Sequence, residues 1–97
     1  MATYIALANF TDKGIGSIKD TTKRADAAKE MAAKFGVTVK DIYWTLGQYD
    51  VVITCEAPDD ASFTAFGLAI GAAGNIRTQT LRAFTKDEMN VILSKMG

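Results

Sequence analysis

The chain has 97 residues, 48% of them hydrophobic, and its 11 basic and 11 acidic side chains cancel to a net charge of zero. That is the size and composition of one domain, residues 1–97, and the even spread of charge excludes a basic footprint for nucleic acid or anionic lipid. Histidine is absent and Cys55 is the sole cysteine, which excludes His-based triads, a haem-ligating histidine and an internal disulfide, and fits a reducing compartment.

From Thr3 to Phe10 the chain reads as a strand, apolar on both faces, with Asn9 through Gly16 as its exit loop. Within it, the apolar run Tyr4–Ala8 has no basic residue before it and no cleavage pattern after it, so no leader peptide is expected. Ser17 and Asp20 read as an N-cap and acidic first turn. Beyond them Ile18, Ala25, Ala28, Ala32 and Phe35 recur at three- and four-residue spacing, which predicts a helix with one buried stripe. Gly36 fits the position that ends it. A strand over Val37–Leu46, a short turn at Gly47-Gln48 and a strand over Tyr49–Glu56 follow as a hairpin. Val51, Ile53 and Cys55 alternate with Val52 and Thr54, so this strand is apolar on both sides and needs cover on both.

Asp59 reads as the cap of a second helix carrying Phe63, Phe66 and Ile70. Its Gly67, Gly71, Ala72 and Ala73 predict a close approach between helix and sheet, to offset the cost of helical glycine. The charge-free run Ala61–Ile76 is shorter than the roughly 20 residues of a membrane span, so no membrane role is expected. Gly74-Asn75 ends the helix, Ile76–Phe84 is a fourth strand, and Thr85 with Glu88 forms a capping box for a last helix with Met89, Ile92, Leu93 and Met96.

The order β-α-β-β-α-β-α is that of an α+β fold, a split βαβ unit doubled, with an extra C-terminal helix. Strands in such folds run fourth-first-third-second, which puts the two doubly apolar strands in the centre. Right-handed crossovers place both helices on one sheet face. The other face then presents Val, Ile, Leu and aromatic side chains to water, and a second copy of the chain is its expected cover.

Gly47-Gln48-Tyr49-Asp50, leading into Val51-Val52, resembles the signature of the GYD domain family. Gly74-Asn75-Ile76-Arg77-Thr78 and Leu81-Arg82-Ala83-Phe84 resemble the closing segment of that family. The resemblance implies a ferredoxin-like fold that forms a dimeric α/β barrel, and brings no settled activity. A similar Gly-x-Tyr-Asp turn opens the matching strand in effector-binding domains of the Lrp/AsnC regulators, which take small effectors such as amino acids at subunit interfaces. The DNA-binding part of those regulators has no counterpart here.

Four residues stand out as ligand-binding candidates: Trp44, Tyr49, Asp50 and Arg77. Each has a structural alternative. Asp50 suits a turn anchor, Tyr49 and Trp44 suit packing at the sheet end or a dimer contact, and Arg77 suits an ion pair with Asp50 or Glu56. Arg77 and Arg82 differ in strand parity and are expected on opposite faces. Cys55 reads as a small buried hydrophobe. Lys13-Gly14-Ile15-Gly16 offers a weak match to an anion-holding loop. The RNA-binding fold of the same topology needs aromatic and basic residues on its third strand, and Tyr49–Thr54 has no basic residue and is aliphatic at its centre.

Two functions follow. The first is a cytoplasmic homo-oligomeric module without cofactor or metal, which binds a small metabolite at the dimer interface or docks on a metabolic enzyme. The second is an enzyme resembling the cofactor-independent monooxygenases of the dimeric barrel class, with Trp44, Tyr49, Asp50 and Arg77 as participants. A deep cavity that gathers Tyr, Asp and Arg favours the second.

Overall fold

A computed structural model describes residues 1–97. Four strands, β1 (Ala2–Phe10), β2 (Thr38–Trp44), β3 (Val51–Ala57) and β4 (Ile76–Ala83), form one sheet in the order β2-β3-β1-β4, the expected one. Every neighbouring pair is antiparallel. The helices are α1 (Asp12–Gly16), α2 (Thr21–Lys34), α3 (Asp60–Ala72) and α4 (Lys86–Ser94).

Register decides which side chains meet the helices. Tyr4 lies opposite Cys55, Ala6 opposite Ile53 and Ala8 opposite Val51, and side chains directly across a ladder share a face. Tyr4, Ala6, Cys55 and Ala57 are buried there with Ala32 of α2, Val37, and Phe63 and Phe66 of α3. The rings of Tyr4 and Phe63 stack with centroids 4.5 Å apart. Thr3, Ile5, Leu7, Val52 and Thr54 turn to the other face, which no helix covers.

In β2 a bulge between Val39 and Asp41 shifts the register, so that Val39 pairs with Cys55 and Asp41 with Thr54. Strict alternation from Val39 would carry Asp41 and Tyr43 under the helices. Lys40 is the extra residue, and it resets the parity so that Ile42 and Trp44 face the helices instead.

Caps and glycines account for most boundaries. Asp59 accepts the Ser62 N–H at 2.7 Å, and Thr85 and Glu88 cap each other's backbone as a capping box. Gly36 and Gly74 take positive φ, 73° and 83°, at the ends of α2 and α3.

Three expectations fail. Helix α2 starts at Thr21, not near Ser17, because Thr11 caps a separate turn α1 and Ile18–Asp20 forms a 3-10 turn. The β2–β3 hairpin is closed by Thr45 to Asp50, with the Thr45 N–H on the Asp50 carbonyl at 2.8 Å, so Tyr49 and Asp50 lie in the loop, ahead of the strand. A Cβ on Gly67 or Gly71 would meet nothing within 4 Å, so these glycines mark no close approach. The tight contact is elsewhere: a Cβ on Gly14 would lie 2.0 Å from the Asn75 carbonyl oxygen.

The molecule measures 52 × 31 × 17 Å, with a radius of gyration of 14.6 Å. A compact chain of this length has about 12.5 Å. The uncovered sheet and α4, which buries none of its residues, account for the excess.

Candidate functional site

Asp50 sits where three segments meet. Its carboxylate accepts the Phe10 N–H at 3.0 Å, and its own N–H donates to the Ala8 carbonyl at 2.9 Å. With the Thr45 bond to its carbonyl, it fastens the hairpin loop to the end of β1. Thr45 adds a hydroxyl donated to the Tyr49 carbonyl at 2.6 Å. This is the anchoring arrangement, reached through backbone groups, and Asp50 makes no ion pair with Arg77.

Tyr49 reaches from that loop across β1 and donates its hydroxyl to Gln79 Oε1 at 3.0 Å. Gln79 pairs with Leu7 and Arg77 with Asn9, so Gln79 and Arg77 lie on the uncovered face. Arg77 is exposed there. Glu56, its other expected partner, pairs with Lys40 at 3.1 Å. Tyr49 and Arg77 therefore border one surface, whose centre is Ile5, Leu7 and Val52, all half-buried, flanked by exposed Tyr43 and Leu81.

Trp44 goes the other way. Its indole N–H donates to Thr21 Oγ1 at 3.0 Å, joining the end of β2 to the start of α2 on the helix side. There it lines a cavity of ≈ 190 Å³ between α2, α3 and the sheet. Alanines 25 and 28 on α2 are too short to fill the space above Ile42, Val51 and Ile53. Of the four candidates, Trp44 alone lines this cavity. Arg24, which the sequence did not single out, lines it too.

Arg24 donates to the Ser17 carbonyl and hydroxyl oxygens, both at 2.8 Å, and to the Gly14 carbonyl at 3.0 Å. Next to it, Thr11 takes the Gly14 N–H, which engages the amide that an anion-holding loop would have offered. Lys13 donates to the Ala73 carbonyl at 2.9 Å, so the same turn also closes the end of α3.

A further polar group, also absent from the sequence reading, lies at the opposite end of the sheet. The Tyr4 hydroxyl donates to Asp60 Oδ1. That bond raises the Tyr4 phenol above its ordinary range, with burial and the Asp60 charge adding to it. Arg82 lies over the Tyr4 ring at 5.5 Å and the Phe84 ring at 4.7 Å, and sits 3.9 Å from Glu88. Arg82 faces the helix side and Arg77 the open side, as their parity requires. The only signal for this group is a tyrosine set among Ala2, Ala6 and Ala8 on one face of β1. Capping N–H groups from Ser62 and Thr85 hold the Asp59 and Glu88 carboxyls below their usual range. Cys55 is buried, and burial pushes its thiol up to about 11. No three His, Cys, Asp or Glu side chains converge, and no helix is long and apolar enough to cross a membrane.

The strand order, the helices on one sheet face and the added α4 define a small ferredoxin-like α+β module. The chain belongs to the GYD domain family, whose model matches residues 4–93. Among solved structures, MtbAldR superposes with a TM-score of 0.68 at 14% identity, over 88% of this chain and 52% of that one, so this chain spans about half its length. TTHA0845 from Thermus thermophilus gives 0.57 at 24% identity, over 88% and 95% of the two chains. A hypothetical protein from Pyrococcus horikoshii, PHS023, gives 0.57 at 20% identity, over 89% and 93%. These identities speak for the fold. No curated protein matches the chain in sequence.

Proposed function

We propose that the protein is a cytoplasmic binding module that works as a homodimer or larger homo-oligomer, pairing uncovered sheet faces into a barrel and holding a small metabolite at their rim. The observation that carries this reading is the one-sided sheet. Ile5, Leu7 and Val52 form an apolar centre that nothing in the chain covers, and such a patch is costly in a lone monomer. Tyr49, Gln79 and Arg77 stand at its border, where a second copy turns an open surface into a cleft. Their chemistry, a phenol, an amide and a free guanidinium, suits a small carboxylate such as an amino acid. Docking on a metabolic enzyme uses the same face and is the competing outcome.

A monooxygenase-like reaction finds less support. Tyr49, Asp50 and Arg77 lie outside the helix-side cavity, and the Asp50 carboxylate is already held by the Phe10 N–H.

Native mass spectrometry of the wild type and of Val52→Lys tests the assembly, and thermal shifts with an amino-acid and small-carboxylate panel test the rim. The expected result is an oligomer that Val52→Lys takes apart, with a ligand response that Tyr49→Phe and Arg77→Gln weaken. A wild-type monomer at micromolar concentration would overturn the reading.

A further inference from the structure

The helix-side cavity lies on the opposite face of the sheet from the proposed interface and needs no second copy. Its walls are the short side chains of Ala25 and Ala28, with Met31, Ile42, Ile53 and Ile70, and Trp44 stands beside it. An apolar cavity of roughly 150 Å³ holds one benzene ring. At ≈ 190 Å³ this one has space for a ring with a short chain, or for a linear chain of about six to nine carbons. A smaller gap of ≈ 50 Å³ continues beneath α3, sharing Ala28, Ile42, Ile53 and Ile70, and gives a chain further room.

The wall of this space is almost wholly apolar, and Arg24 is among the few polar residues at its border, with three hydrogen bonds that all go to neutral oxygens of Ser17 and Gly14. Neither salt bridge of the molecule includes Arg24. A guanidinium has five N–H donors in a fixed fork, so donors remain after these bonds, and no carboxylate lies within ion-pair distance of it. Half-buried beside an apolar cavity, such a cation is matched by an anion whose tail is apolar. The existing bonds hold the fork to the α1 turn, so its position is set before a ligand arrives.

We propose that this cavity binds a small apolar carboxylate, an aryl-alkanoate or medium-chain fatty acid, with its tail between α2, α3 and the sheet and its carboxylate on Arg24. Nothing in this assignment depends on the dimer or on Tyr49 and Arg77.

Trp44 is the sole tryptophan and supplies the readout. Wild-type protein is titrated with 3-phenylpropanoate, octanoate and 3-phenylpropanamide while Trp44 emission and melting temperature are followed. Both carboxylates are expected to give a saturable emission change and raised melting, and the amide to bind about tenfold more weakly. Arg24→Gln should weaken the carboxylates about tenfold and leave the amide unchanged. Ala28→Leu, which fills the cavity, should abolish both responses, with Ala25→Leu as the second filling variant should the first fail to fold. Circular dichroism confirms that each variant is folded. Repeating the titration on Val52→Lys separates this site from the proposed interface: the response should persist even if that interface proves wrong. No saturable response in the wild type overturns the proposal. So does equal binding of amide and carboxylate, or a response that cavity filling leaves intact.

Discussion

The carboxylate of Asp50 accepts the backbone N–H of Phe10 at 3.0 Å, so the loop after β2 is tied to the last residue of β1. That bond joins an edge hairpin to a central strand across a sequence separation that no local turn could span. Removing it with Asp50→Ala leaves a half-buried amide unpaired, at a cost of about 1–2 kcal/mol. Melting should fall by about 4–8 °C for each kcal/mol lost. Asp50→Asn keeps an acceptor oxygen in place and should recover much of the loss. Urea unfolding of the three proteins measures this, and equal midpoints would remove the anchoring role.

Two glycine-to-alanine changes should move stability in opposite directions. In Gly14→Ala the new methyl would lie 2.0 Å from the Asn75 carbonyl oxygen, so backbone must shift on both sides of the contact. A loss of about 2 kcal/mol or more is expected, as for other overpacked sites. Gly67→Ala meets nothing within 4 Å and lies inside α3, where alanine gains up to about 1 kcal/mol in helix propensity. Thermal melts of the pair test the two environments together.

Cys55 should make the fold sensitive to alkaline pH. Burial raises its thiol from the ordinary 9.0 to about 11 in the folded chain. Below the ordinary value the thiol is protonated in both states, and its contribution is complete. Between the two values the unfolded chain releases a proton that the folded chain keeps, so stability falls as pH rises and the contribution is lost above about 11. Urea midpoints from pH 8 upward should decline less steeply in Cys55→Ala. A thiol reagent should likewise react only as fast as the chain opens.

Residues whose roles are local or periodic are the ones legible in the sequence. Gly36, Gly74, Asp59 and the Thr85–Glu88 pair act within a few positions of themselves, and their types state their roles. The central placement of β1 and β3 follows from strands apolar on both faces. Features set by tertiary structure are not legible. The α1 turn depends on Arg24 reaching back to Gly14 and on Thr11 bonding to the turn after α3, which residue spacing does not encode. Trp44 and Tyr49 read as one site in the sequence, yet Lys40 resets the parity of β2 and sends the indole to the opposite face. Gly67 and Gly71 read as contact positions because small residues permit close packing. In the fold the space beside them is empty, and the cavity lies on the alanine face of α2 instead.

The same inserted Lys40 bears on whether a further strand could extend the sheet. β2 is one border of the sheet, and its ladder is interrupted between Val39 and Asp41, with the lysine side chain held by Glu56 at 3.1 Å. An incoming strand would find neither an unbroken row of amides nor an uncharged flank. The border at β4 carries Arg77, Gln79 and Arg82, all exposed. Strand-by-strand growth into a fibre is thus obstructed at both borders.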